Sequence, residues 1–191
     1  MVRQTLMMML LLLALPAQAV QTAQAVFAGG SFWVMERLFA EQDGVLATEA
    51  GWMKSGSRHL RRQVVRVEYD PRILSYGDLL TLYWAAVDAF DGEGQFCDRG
   101  PEFSPAIYVR GSLQQKWAQQ SRARLTLQHD RAIRVRLLPE GTFESAPARH
   151  QQYHRQHPLL YGGYRRMCGY PAGERFSLQA LAGGPLATSA R

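Results

Sequence analysis

Apolar and polar positions recur along the chain with periods that divide most of it into strands and helices. Gln24 to Ala28 form a short apolar run that meets Gly29-Gly30, and Ser31 then opens a segment with Trp33, Val34, Leu38 and Phe39 on one helical face. This predicts strand, glycine turn and helix, with Ser31 at the helix N-terminal end, where free N–H groups and the dipole favour developing negative charge. Gly44 to Ala50 predicts a second strand and Gln63 to Tyr69 a third, in which Val65, Val67 and Tyr69 alternate with polar residues before Asp70-Pro71 ends the run. Lys54 to Arg62 between them reads as a polar loop. Ser75 has the character of a helix cap, with Asp78 three residues on and Leu79, Leu80, Leu82, Tyr83 and Val87 along one face. A glycine-rich loop from Asp91 to Gly100 leads to a strand at Ala106 to Val109, a polar surface helix at Leu113 to Gln128, and a last strand at Ile133 to Leu138. From Pro139 onward the pattern is irregular, and Gly183 to Arg191 read as a frayed tail. The order β-α-β-β-α-β, extended by one helix and one strand, predicts an α+β plait of two layers with a mixed sheet.

The first nineteen residues change the picture of where the chain works. Arg3 supplies a charge, Leu6 to Leu15 form an unbroken apolar run, and Ala17-Gln18-Ala19 fits an export-signal cleavage site, so the mature protein is expected to begin at Val20. The run is too short to span a bilayer. Residues 20–182 then make one domain, periplasmic or secreted, with no membrane contact once the signal is removed.

The net charge of +6 admits a nucleic-acid surface, but the arginines at 58, 61, 62, 122, 124, 131, 134 and 136 scatter without interleaved stacking aromatics, so no nucleic-acid partner is expected. The chain has two cysteines, Cys97 and Cys168, which an oxidising compartment would allow to pair. Sequence alone leaves open whether they are close enough to do so. His150, His154 and His157 lack a metal-ligand spacing and read as surface or capping residues, so no metal site is expected.

Several segments carry a resemblance that covers about the whole mature chain. VFAGGSFWVMERLF at Val26 to Phe39 is similar to the GGCFW-x-x-E-x-x-F hallmark of the peptide-methionine (S)-sulfoxide reductase family, with Ser31 at the cysteine's position. QVVRVEYDPRILSYGDLLTLYW from Gln63, GQFCDRGPEFSPAIY from Gly94, HQQY from His150 and YRRMCG from Tyr164 resemble the family's later segments in the same order. The resemblance implies a plait of the ferredoxin-like type and reduction of methionine sulfoxide in peptides or proteins. It implies no bound cofactor, and an external thiol reductant of the thioredoxin-like kind. In the implied chemistry a helix-terminal thiolate attacks the sulfoxide sulfur, an acid protonates the leaving oxygen, and a second thiol resolves the cysteine sulfenic acid. Phe32 and Trp33 are implied to hold the substrate methyl group. Asp98 is implied to belong to the oxygen-side pocket.

The departures from the family pattern fall on the same chemistry. Ser31 is far less acidic than a thiol, and a helix terminus worth about 0.3–2 kcal/mol does not close that gap. Gln63 stands where the family has its acid, and an amide cannot deliver a proton. Phe103 replaces an expected tyrosine among the substrate-contacting residues, the stretch between Trp52 and Gln63 is too short for the family's N-P-T-Y segment, and Ala146 to Arg149 lack its acidic residue. Together these losses read as a relaxed catalytic requirement. Three readings follow: the family activity run by Cys97 or Cys168 as a relocated thiol, a non-catalytic binder of methionine or its sulfoxide, and an exported structural protein with a vestigial pocket.

Overall fold

The computed structural model describes residues 21–54 and 61–171. The export-signal reading, the tail beyond Gly183 and part of the loop after Lys54 lie outside the described residues. Strand β1 (Ala23–Ala28) runs into helix α1 (Phe32–Ala40), which returns to β2 (Val45–Lys54); β3 (Arg61–Tyr69) follows and leads to α2 (Tyr76–Ala86). A small hairpin, β4 (Gly94–Gln95) and β5 (Asp98–Arg99), precedes β6 (Ala106–Val109), α3 (Gly111–His129), β7 (Arg136–Pro139) and β8 (Thr142–Ser145). The described chain ends through α4 (Tyr153–Gln156) and α5 (Pro158–Met167).

The main sheet has six strands in the order β7-β6-β1-β3-β2-β8. β1 and β2 each pair antiparallel with β3, so they run parallel to one another with α1 crossing between them. β6 pairs antiparallel with β1, which makes β3 and β6 parallel across α2, and β7 adds a parallel edge beside β6. The result is the expected α+β plait with a mixed sheet.

The period-two pattern of β1 sorts the two faces. Ala25 and Phe27 join Val65, Val67 and Tyr69 under α1 and α2, packed on Phe32, Met35, Phe39, Leu79, Leu82 and Tyr83. Val26 and Ala28 point the other way with Met53, Val64, Ala106 and Tyr108. Ser75 caps α2 as expected, accepting from the Asp78 N–H at 3.1 Å while the Asp78 carboxylate accepts the Ser75 N–H at 2.9 Å. Helix α3 buries only Ala118, in keeping with its polar sequence.

Three expectations are corrected. The second strand continues to Lys54, and Arg61 and Arg62 belong to β3 rather than to a loop. Chain after Pro139 is not irregular: β8 pairs with β2, and α4 and α5 follow. β8 approaches so closely that a Cβ on Gly51 would meet the Glu144 carbonyl at 2.5 Å. Helix α5 contains Gly162 and Gly163, which weaken its intrinsic helix signal, and it forms because buried Tyr161 gives it a tertiary anchor. Finally, His154 is buried rather than a surface residue, half-buried His150 turns its ring onto Phe32 and Trp33, and exposed His157 stands at the N-cap of α5 as expected.

Candidate active site

The site is built at the end of β1. Gly30 has φ 78°, a conformation that glycine enters without penalty, and its N–H donates to the Phe103 carbonyl at 3.1 Å. That turn sets Ser31 as the N-cap of α1, with its Oγ accepting the Trp33 N–H at 3.3 Å and only 5% of the residue exposed. The placement expected for Ser31 is therefore the placement found.

Gln63 reaches up from the neighbouring strand, and its Oε1 accepts the Phe32 N–H at 3.1 Å. A second free amide of the helix terminus is thereby satisfied by a side chain from β3. Phe103 ends a short 3-10 turn, Pro101–Phe103, whose backbone reaches the Gly30 turn through that hydrogen bond.

Phe32 and Trp33 form the start of an aromatic wall that the sequence did not fully disclose. Phe32 lies edge-on to Trp52 with ring centroids 5.5 Å apart, and against His150 at 5.6 Å. Trp33 stacks on Tyr153 at 3.9 Å and meets Tyr164 edge-on at 6.0 Å. Burial and the neighbouring Arg149 lower the His150 pKa, keeping a neutral ring in this wall. The quoted HQQY and YRRMCG segments supply His150, Tyr153 and Tyr164, but their spacing alone carries no sign of where those rings point.

The HQQY turn is fixed from below by Glu36 and Gln151. Gln151 docks its amide on β2, with the Ala50 N–H donating to Oε1 at 2.8 Å and Nε2 donating to the Ala50 carbonyl at 2.9 Å. Glu36 is fully buried and accepts the Gln152 N–H at 2.7 Å and its side-chain Nε2 at 3.0 Å. Burial raises the Glu36 pKa to about 7 against the lowering effect of those hydrogen bonds.

Asp98 forms the opposite side. It sits on the β4–β5 hairpin, whose loop is stitched by buried Gln95, accepting the Asp88 N–H at 2.7 Å and donating to the Gly94 carbonyl at 2.6 Å. Two phenol hydroxyls from the end of the described chain, Tyr164 and Tyr170, both donate to Asp98 Oδ2. Ser31 lies beside this cluster, its side chain next to the Tyr164 hydroxyl and its backbone next to that of Tyr170. Burial, then the adjacent Asp98 carboxylate, pushes both tyrosine pKa values far upward, so the hydroxyls stay protonated as donors.

Cys97, next to Asp98, is bonded to Cys168, with Cα atoms 5.0 Å apart. This corrects the two cysteines as candidate thiols: neither sulfur is free, and the chain has no other cysteine to act as a relocated nucleophile in this state. Among the described residues no group of three His, Cys, Asp or Glu side chains is placed to hold a metal ion, and no helix is long and apolar enough to cross a membrane.

The model of the peptide methionine sulfoxide reductase family matches residues 23–178, most of the chain. The chain belongs to the peptide methionine sulfoxide reductase family. It is 38% identical over 169 residues to peptide methionine sulfoxide reductase MsrA 2 of Caulobacter vibrioides, covering 81% of this chain and 84% of that one. MsrA of Bacillus licheniformis is 35% identical over 154 residues, covering 74% and 85%. Among solved structures, methionine sulfoxide reductase A of Corynebacterium diphtheriae superposes with a TM-score of 0.62 at 24% identity, covering 74% of this chain and 78% of that one. Mxr1 of Saccharomyces cerevisiae in reduced form gives 0.68 at 17% identity, covering 73% and 87%. Mxr1 in complex with Trx2 shares the same fold, with a TM-score of 0.53. The six-stranded plait seen here is thus the architecture of those reductases.

Proposed function

We propose that this protein engages oxidised methionine side chains of polypeptides at the Phe32–Trp33 wall, and that its reductase turnover is impaired by the loss of a thiol at residue 31 and an acid at residue 63. The observation that carries the proposal is the position of Ser31. It caps α1 beside Phe32, with its Oγ where a helix-terminal nucleophile would stand, and it is an alcohol. A sulfoxide sulfur brought against Oγ would meet a poor nucleophile, and an S–O bond formed there could not be carried forward as a cysteine sulfenic acid.

The remaining groups suit binding better than turnover. Aromatic faces at Phe32, Trp33 and Tyr153 suit a thioether methyl group, and sulfur–aromatic contacts contribute about 0.3–1.5 kcal/mol each. Gln63 spends its amide oxygen on the Phe32 N–H and has no acid proton to give. Any residual reduction would consume an external dithiol of the thioredoxin-like class, the kind of partner with which yeast Mxr1 was crystallised. Residues 1–19 fit a cleavable export signal, which would direct this chemistry to oxidised proteins of the periplasm or exterior.

The test is incubation of the mature protein and a Ser31→Cys variant with a methionine-(S)-sulfoxide peptide and dithiothreitol, following peptide mass and, in parallel, peptide binding by calorimetry. The unmodified protein is expected to bind without removing oxygen, and the cysteine variant to remove it. Oxygen removal by the unmodified protein would overturn the impairment, and absence of binding by both proteins under reducing conditions would overturn the recognition.

A further inference from the structure

The geometry points to a redox gate over Ser31: the Cys97–Cys168 disulfide clamps Tyr164 and Tyr170 onto Asp98, and reduction of that bond by a dithiol frees them and opens the site. The inference rests on the proposed recognition of oxidised methionine for its purpose, but not for its mechanics.

Asp98 is the residue after Cys97, while Tyr164 and Tyr170 flank Cys168, so the bridge and the hydroxyl contacts join the same two segments. Tyr170 is 7% exposed and lies directly over the Gly30 turn: a Cβ on Gly30 would collide with its hydroxyl and come within 2.9 Å of Gln95 Cβ. Its ring packs on Phe96 with centroids 4.5 Å apart, and its hydroxyl reaches the Gln95 carbonyl at 3.4 Å. Ser31, enclosed by these two tyrosines, is left 5% exposed. A methionine sulfoxide side chain cannot bring its sulfur to Ser31 Oγ, or its oxygen to the Asp98 side, while Tyr164 and Tyr170 hold those positions.

The clamp is short in sequence, and among the described residues the bridge, the tyrosine contacts and a few backbone bonds hold it. Cys168, Gly169 and Tyr170 follow the end of α5 with backbone bonds to Tyr164, Arg166 and Arg165, at 2.9, 3.3 and 3.1 Å. Arg165 adds a contact to the Pro171 carbonyl. Gly169 has φ 73° and open space around it, so the chain turns there between buried Cys168 and Tyr170. Cys97 is exposed and Cys168 buried, which directs a reductant to Cys97.

The exchange balances without a further reactant. A thiolate of the external dithiol attacks the Cys97 sulfur, the S–S bond breaks, and Cys168 leaves as a thiolate that takes a proton. The dithiol's second thiol, as thiolate, then attacks the mixed disulfide and releases Cys97. Two electrons pass from the dithiol, which ends as a disulfide, to the protein, which ends with two thiols.

The experiment is hydrogen exchange by mass spectrometry on the full mature chain, oxidised and after dithiothreitol, with a Cys97→Ser/Cys168→Ser variant alongside, and with sulfoxide-peptide binding measured on the same samples. Reduction and the variant are each expected to speed exchange at Cys168 to Tyr170 by about tenfold or more, leaving β1 and β3 unchanged, as local opening requires. Peptide binding should be detectable only in the opened samples. Equal exchange at Cys168 to Tyr170 in bridged and unbridged protein would overturn the gate. So would faster exchange across β1 and β3 as well, because the bond would then be a general staple. Local opening without peptide binding would sustain the gate and overturn the proposed recognition.

Discussion

The carboxylate of Glu36 holds Gln152 by both its backbone N–H, at 2.7 Å, and its side-chain amide, at 3.0 Å. Gln152 is in the left-handed region at φ 49°, so its carboxylate partner stabilises a turn that a non-glycine residue rarely adopts. The next residue is Tyr153, stacked on Trp33. A buried acid one turn along α1 thus sets the far wall of the aromatic site.

Glu36→Ala should therefore leave the part-buried Gln152 N–H without its acceptor and cost about 1–3 kcal/mol of stability. Urea denaturation measures the loss, and tryptophan fluorescence should change as the Trp33–Tyr153 stack loosens. An unchanged midpoint would show that the turn is held by Gln151 alone.

Stability should also depend on pH through Glu36. The folded protein holds this proton up to about 7, above the ordinary carboxyl value of 4.5. The contribution is thus full below about 4.5 and is lost as pH rises through about 7, because the folded state binds more protons than the unfolded chain in that window. The difference in stability between the protein and Glu36→Gln, followed across pH 4 to 8, should fall over this range. His154, whose pKa burial lowers, titrates with the opposite sign in both proteins and cancels in the difference.

Gln63→Glu in the Ser31→Cys background should raise peptide reduction by about 10²-fold or more over Ser31→Cys alone, the usual range for a positioned acid. A carboxyl at residue 63 can still accept the Phe32 N–H, 3.1 Å away, so the backbone geometry has no reason to change. Single-turnover assays under dithiothreitol give the rate. Gln63→Glu alone should leave turnover undetectable, since the thiol is missing.

Tyr153→Ala removes a ring stacked at 3.9 Å on Trp33, a pair worth about 0.5–1.5 kcal/mol. Sulfoxide-peptide affinity of the reduced protein should weaken roughly 2- to 10-fold, read by calorimetry. Equal affinity would place the substrate elsewhere than on this wall.

Arg62 is buried beneath the sheet, with Nε donating to Ser104 Oγ at 2.8 Å and Nη1 to Tyr108 Oη at 3.5 Å. Ser104→Ala should lower the melting temperature by leaving part of a buried guanidinium without its acceptor, a cost of about 1–3 kcal/mol. Arg62→Met, which removes charge and donor together, should cost less if Arg62 serves no other role.

The sequence by itself determined the plait and the position of its reactive terminus. Val65, Val67 and Tyr69 at period two, the Ser75 and Asp78 cap, and Gly29-Gly30 before Ser31 are local signals, since side-chain alternation, cap hydrogen bonds and positive φ are fixed within a few residues. The residue types at Ser31, Gln63 and Phe103, on which the proposed impairment rests, were equally visible in the sequence. What only the tertiary structure decided was which distant groups meet there. Nothing in the spacing of Cys97 and Cys168, of Tyr164 and Tyr170, or of Glu36 and Gln152 sets their approach. β8 and α5 were hidden for the same reason: Gly51 opens room for the one, and Tyr161 anchors the other despite Gly162 and Gly163. Local propensity governs a turn or a strand face, whereas long-range pairs depend on how the finished sheet and helices stack, and so become visible only once the chain is folded.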